Sequence, residues 1–216
     1  MEVASVNRFQ SVYVFCGSSP RKNVMYVEAA NNLGMVLAER NIHLVYGGDS
    51  LGLMGYVSTA VHTGENRVLG IIPAALAKKE SIGTTVGEEF RVSSMHERIA
   101  RMLTNSDAFI ALPGGFGTLE EIFQIASWAQ LNMHRKPIGL LNVNGFFNCL
   151  RCFLDQAVEQ GFISHAARKI LVFASTADEL IDKLQAFVYE PDPATSRIDW
   201  SDDSHKKRKL DLNLHL

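Results

Sequence analysis

Seven strand-length runs, most of them apolar and all but one followed by a helical stretch (a looser stretch, Ala74–Glu89, follows the third), restrict this chain more than any other feature. They are Ser11–Cys16, Ile42–Tyr46, Arg67–Ile72, Phe90–Ser93, Ala108–Leu112, Pro137–Val143 and Lys169–Phe173. Most are continuously apolar instead of alternating, which is the pattern of strands covered on both faces. The intervening stretches, of which Thr118–Met133 is the clearest, repeat apolar residues at helical spacing. Strand and helix in regular alternation imply an α/β fold: a doubly wound, Rossmann-like parallel sheet with helices on both faces. At 216 residues, this is one full domain with no internal repeat. We expect an N-terminal extension over 1–10, a single nucleotide-binding domain over 11–189, and a disordered tail over 190–216, where prolines, aspartates and a basic run take over.

A net charge of −2 offers no general attraction to nucleic acid or an anionic membrane, so any anion site must be local. No apolar run reaches eighteen residues and no charged-then-apolar leader opens the chain, so neither a membrane span nor a secretory signal is expected. Three cysteines, Cys16, Cys149 and Cys152, suit a reduced, cytoplasmic setting. Cys149 and Cys152 form a lone CxxC without a second pair, which points to packing and not to a metal site.

In open parallel sheets ligands bind beyond the carboxyl ends of the strands. Three such ends carry glycine-rich turns: Cys16-Gly17-Ser18-Ser19, Tyr46-Gly47-Gly48-Asp49-Ser50 and Leu112-Pro113-Gly114-Gly115. The third leads into a helix whose first N–H groups lack intrahelical partners and carry partial positive charge, a natural phosphate seat. No lysine follows Gly117, which excludes a Walker A loop, and Glu120 stands where a dinucleotide fingerprint needs its last glycine. The turn therefore suits a single phosphate, as in a nucleoside 5′-monophosphate. Thr118 and Glu121 read as a capping box, with Thr118 as N-cap, so Glu121 has a purely local reading beside a catalytic one. Arg98 lies at another strand-to-helix junction and offers a planar cationic fork for phosphate or carboxylate. Arg101 and His96 read more simply as surface residues.

The segments Met95-His96-Glu97-Arg98 and Pro113-Gly114-Gly115-Phe116-Gly117-Thr118-Leu119-Glu120-Glu121, with VFCGSS, GLMG, SWAQL and KPIGLLNV, resemble the LONELY GUY family of cytokinin riboside 5′-monophosphate phosphoribohydrolases. The likeness runs from Val12 to about Phe187. It implies hydrolysis of the N-glycosidic bond of an N6-substituted adenosine monophosphate without metal or organic cofactor. It also implies a homodimer with the site near the subunit interface. Carried over position by position, Arg98 and Glu121 are the expected catalytic pair. Glu80, Ile99, Gly114, Gly115, Phe116, Gly117, Thr118, Leu119, Glu120 and Ser127 are the expected substrate contacts.

Two positions depart from the family pattern: Ile99 replaces a lysine, and Asp49 replaces a glycine in the second turn. Each makes the site less attractive to phosphate, so a binding-only or regulatory relative is the competing expectation. A lysine decarboxylase would need a Schiff-base lysine, for which Lys78, Lys79 and Lys136 are the candidates. Beyond the domain, Lys206-Lys207-Arg208-Lys209 resembles a nuclear import signal. The alternating Leu210, Leu212, Leu214 and Leu216 resemble the LxLxL motif that contacts transcriptional corepressors.

Overall fold

The structure, a computed structural model, describes residues 9–18, 24–77, 83–198 and 200. Its strands are β1 (Ser11–Phe15), β2 (His43–Tyr46), β3 (Val68–Pro73), β4 (Glu88–Val92), β5 (Ala108–Ala111), β6 (Ile138–Leu141) and β7 (Leu171–Ala174). All pair in parallel, in the order β4-β3-β2-β1-β5-β6-β7. The helices between them are α1 (Val24–Glu39), α2 (Gly52–Thr63), the single turn α3 (Ala74–Ala77), α4 (Met95–Asn105), α5 (Phe116–Gln130), α6 (Asn148–Glu159), the short α7 (His165–Arg168) and α8 (Ala177–Gln185). The doubly wound sheet expected from the apolar runs is therefore present.

Period-two alternation divides the core. Val12 and Val14 of β1, with Leu44, Tyr46 and Ile110, pack under α1, α2 and α8. Tyr13 and Phe15 of the same strand, with Val45, Phe109 and Leu140, pack under α4, α5 and α6. Central strands are buried from end to end, whereas β4, at the sheet edge, exposes Glu88, Glu89, Phe90 and Arg91. Charged residues on an edge strand deter pairing with other chains. They also explain why the apolar run at Phe90–Ser93 marks only part of β4.

Two expectations need correction. Cys149 and Cys152 are exposed on α6, so packing does not account for them. In the second turn the left-handed positions are held by Gly48 (φ 83°) and Gly52 (φ 60°), so Asp49 replaces a glycine where none is required. The tail is anchored for its first part. Asp192, 4% exposed, accepts hydrogen bonds from Ala194 N, Gln130 Nε2 and Ser164 Oγ. Tyr189 Oη donates to Ala129 O (2.7 Å), Thr195 Oγ1 to Gln130 O, and Trp200 Nε1 to Leu131 O (2.8 Å). These three carbonyls lie at the C-terminal end of α5 and its cap, Ala129 O also accepting from Asn132 N (2.9 Å), so the strap adds side-chain donors where the helical ladder runs out. The basic and leucine-rich segments beyond it lie outside the described residues. Among the described residues, no helix is long and apolar enough to cross a membrane.

Candidate active site

The strand order reverses between β1 and β5, so the crevice beyond their carboxyl ends is the expected ligand position. The two loops there are joined directly: Gly17 N donates to Pro113 O (3.2 Å). A methyl group on Gly114 would overlap the Thr118 hydroxyl and come within 3.0 Å of Gly17 N, so only glycine lets these segments close up.

Helix α5 begins at Phe116 with Gly115 as N-cap, and no side chain caps it. The capping box expected at Thr118 and Glu121 does not form. Thr118 lies inside the helix and is buried, and Glu121 is committed elsewhere. A reciprocal cap of that kind occurs on α4 instead: Ser94 Oγ accepts from Glu97 N (3.1 Å), and Glu97 Oε2 from Ser93 N (2.8 Å). The first N–H groups of α5 are thus left without a side-chain partner, beside Gly115 and Gly117, whose Cα hydrogens face open space. Phe116, 94% exposed, stands at the rim.

Behind this opening lies an ion pair. Arg98, one turn into the capped α4, points its Nη2 at Glu121 Oε1 of α5, 3.2 Å away; the side chains are 12% and 10% exposed. Gly47 leaves room for the arginine, since a Cβ there would lie 2.9 Å from Nη2. Arg98 Nε and Glu121 Oε1 have no directed hydrogen bond. Burial drives the Glu121 carboxyl up to about 7; Arg98 pulls it down and the neighbouring Glu120 pushes it up. Burial disfavours the arginine cation, but Tyr13, Glu121 and Glu120 outweigh it and Arg98 stays charged.

The expected contacts separate into groups. Gly114 through Glu121 surround the opening with Arg98. Leu119 turns partly into the core. Ile99, 4% exposed, belongs to the core and floors the cleft between Arg98 and Glu121, so packing explains its apolar side chain. Ser127 is exposed on another side of α5, beside Phe123 and Leu154, and is not brought to Glu121 within this chain. Glu80 lies outside the described residues. Asp49 Oδ1 accepts from Leu51 N (2.8 Å) and Gly83 N (3.2 Å), so its charge is spent on its own loop. Arg101 lies outside the cleft, over the Phe90 ring at 4.8 Å, and His96 is exposed. A cavity of about 230 Å³ opens at the opposite sheet edge beside His43 and Asp107. There the Asp107 carboxylate already holds the backbone of Gln10 and Ser11, and no helix N-terminus points in. Tyr13, against Arg98, is a site neighbour that sequence reasoning missed, because a tyrosine within an apolar strand reads as core.

A buried arginine–glutamate pair beneath an uncapped helix N-terminus, at the switch point of a doubly wound sheet, defines a Rossmann-like protein whose crevice holds a cation, a carboxylate and helix N–H groups without side-chain caps. Residues 54–184 match the family model described as "Possible lysine decarboxylase". A cytokinin riboside 5′-monophosphate phosphoribohydrolase of Arabidopsis thaliana is 53% identical over 196 residues, 91% of this chain and 90% of that protein. A probable enzyme of the same name from Oryza sativa subsp. japonica is 54% identical over 194 residues, 90% of this chain and 92% of that one. Among solved structures, the molybdenum cofactor binding protein from Rippkaea orientalis superposes with a TM-score of 0.60 at 22% identity, over 83% of this chain and 97% of that one, a likeness of fold alone. The chain belongs to the LONELY GUY family of cytokinin riboside 5′-monophosphate phosphoribohydrolases.

The decarboxylase description does not fit the described residues. Pyridoxal chemistry needs a lysine amine at the site. Lys136 donates to Leu103 O and Ser106 O before β6, Lys169 pairs with Glu190, and Lys183 with Glu179. Lys78 and Lys79 lie outside the described residues.

Proposed function

We propose that the protein hydrolyses the N-glycosidic bond of cytokinin riboside 5′-monophosphates, releasing the free-base cytokinin and ribose 5-phosphate. The observation that carries this reading is the buried Arg98–Glu121 pair beside the uncapped start of α5. The 5′-phosphate of an N6-substituted adenosine monophosphate sits on the free N–H groups of α5, which places the ribose over Glu121. Breaking the C1′–N9 bond sends its electron pair to the base and leaves positive charge on the sugar. The Glu121 carboxylate stabilises that charge and orients the attacking water. As the new C1′–O bond forms, the water proton passes to Glu121 and the departing base takes a proton from solvent. Arg98 anchors the phosphate or sugar and keeps Glu121 from being an isolated buried charge.

Asp49 and Ile99 do not favour the binding-only alternative, because one side chain caps its own loop and the other packs in the core. Incubation with isopentenyladenosine monophosphate, followed by chromatography, tests the reading. Free base should accumulate, and Glu121→Gln and Arg98→Ala should each lose roughly 10²- to 10⁴-fold in rate. Glu121→Gln with unaltered turnover would sink it.

A homodimer, cytoplasmic placement and nuclear access through Lys206–Lys209 are further parts of the proposal. On α5, Ile122, Ile125 and Ala129 are used inside the chain, so a dimer contact there falls to the exposed Phe123 and to Met133 just beyond the helix. Sedimentation at micromolar protein tests the dimer. A fluorescent fusion with Lys206, Lys207 and Lys209 changed to alanine tests the import signal, and the same fusion without Leu210–Leu216 tests corepressor binding.

A further inference from the structure

Tyr13 occupies the middle of β1 on the sheet face covered by α4 and α5, its ring 4.8 Å from that of Phe15. It is 1% exposed. Its hydroxyl lies within reach of the Arg98 guanidinium, close enough for the two groups to interact, yet neither Tyr13 Oη nor Arg98 Nε has a partner in ordinary hydrogen-bond geometry. Glu121 Oε1, the third member of the cluster, lacks one as well. Phenylalanine would fill the same volume without burying an unsatisfied oxygen, so packing does not explain the hydroxyl. Burial holds the phenol well above its ordinary range, so it stays neutral and acts as a dipole.

The Arg98–Glu121 contact is itself unusual. Buried arginine–carboxylate pairs favour two parallel bonds of about 2.7–2.9 Å. Here the nearest approach, Nη2 to Oε1, is 3.2 Å, and Glu121 Oε1 has no directed hydrogen bond. The guanidinium rests in the space left by Gly47 and also meets the Tyr13 hydroxyl.

We propose that Tyr13 is a positioning residue: its hydroxyl holds the Arg98 guanidinium back, so that it touches Glu121 through one nitrogen instead of closing into a two-point pair. The Glu121 carboxylate then keeps a face free for water and stays a useful base. The groups acting on Glu121 are Arg98 from α4, Glu120 from its own helix and the Tyr13 dipole from β1, with the Cys16 thiol behind Tyr13. Tyr13→Phe alters only the dipole. Without it, Glu121 is the remaining acceptor near Arg98. The arginine closes on it, the carboxylate is stabilised, and its proton is released at lower pH.

The kinetic arm of the test rests on the hydrolase reading; the titration arm does not. Glutamate carboxyl carbons are labelled with ¹³C and titrated by NMR in the wild type and Tyr13→Phe, with the Glu121 resonance assigned by its loss in Glu121→Gln. Tyr13→Phe should lower the Glu121 midpoint by about one pH unit or more without lowering the melting temperature. It should lower kcat roughly tenfold while KM moves less than about threefold. An unchanged midpoint overturns the proposal whatever the activity, and a lowered midpoint with full kcat overturns its part in the reaction. A wild type without hydrolysis, in which Tyr13→Phe still lowers the midpoint, sinks the hydrolase reading and supports the hold on Arg98.

Discussion

If Glu121 works as a carboxylate, turnover and folding stability should respond to pH in opposite senses over one window. Burial moves this carboxyl from its ordinary 4.5 to about 7. A displacement of that size corresponds to about 3 kcal/mol of preference for the neutral form. Between these values the folded protein keeps a proton that the unfolded chain has released. Stability therefore falls as pH rises through the window, and the full penalty is present above about 7. Turnover should do the reverse. About a tenth of the sites carry the carboxylate at pH 6 and about nine-tenths at pH 8 in the free protein, so kcat/KM should climb and level off. The assay is base release at nucleotide well below KM from pH 5 to 9, paired with urea unfolding of the wild type and Glu121→Gln at pH 5 and 8. The wild type should lose stability relative to Glu121→Gln on going from pH 5 to 8. A kcat/KM that is flat, or that falls as pH rises from 6 to 8, would refute the assignment, because the protonated acid would then be the working form. A stability difference independent of pH would refute the burial argument behind it.

Three further substitutions probe the surroundings. Gly47→Ala places a Cβ 2.9 Å from Arg98 Nη2 and from Met54 Sδ, the mobile ends of both side chains; the fold should survive while kcat/KM falls roughly ten- to a hundredfold. Gly114→Ala forces the β1 and β5 loops apart, so urea unfolding should show a loss of about 1–3 kcal/mol, with a KM raised at least roughly tenfold. Asp192→Ala removes the acceptor of the half-buried donors of Gln130 and Ser164 and should lower stability by about 1–2 kcal/mol in the same assay. Its kcat should stay within about threefold of wild type, because the site lies at the other end of α5.

The fold was legible because nearly every strand is buried on both faces and so declares itself as an apolar run. The edge strand, which starts with Glu88 and Glu89, was only half visible for the same reason. The glycine turn that opens α5 was legible from Pro113–Gly117, since glycine spacing is local information. Contacts across the sequence were not. Thr118 and Glu121 carry a valid capping pattern, and nothing in the neighbouring residues reveals that Arg98, twenty-three positions earlier, takes the carboxylate. Family resemblance proposed that pair; burial and the strand order put a physical reason under it. Tyr13 was invisible, since only the three-dimensional contact separates it from an ordinary core aromatic. The packing of Asp192 was hidden by composition, because a proline- and aspartate-rich stretch looks unstructured until its carboxylate finds donors on α5 and Ser164.

The strap over the end of α5 has a bearing on how relatives should be compared. The family model stops at residue 184, yet Tyr189, Thr195 and Trp200 complete the helix that carries Glu121. What resembles a dispensable trailing sequence is thus bonded to the same helix as the Glu121 carboxylate. Divergence there is mechanically connected to the glycine turn, and two homologues with matching motifs but different trailing residues need not hold that turn equally firmly.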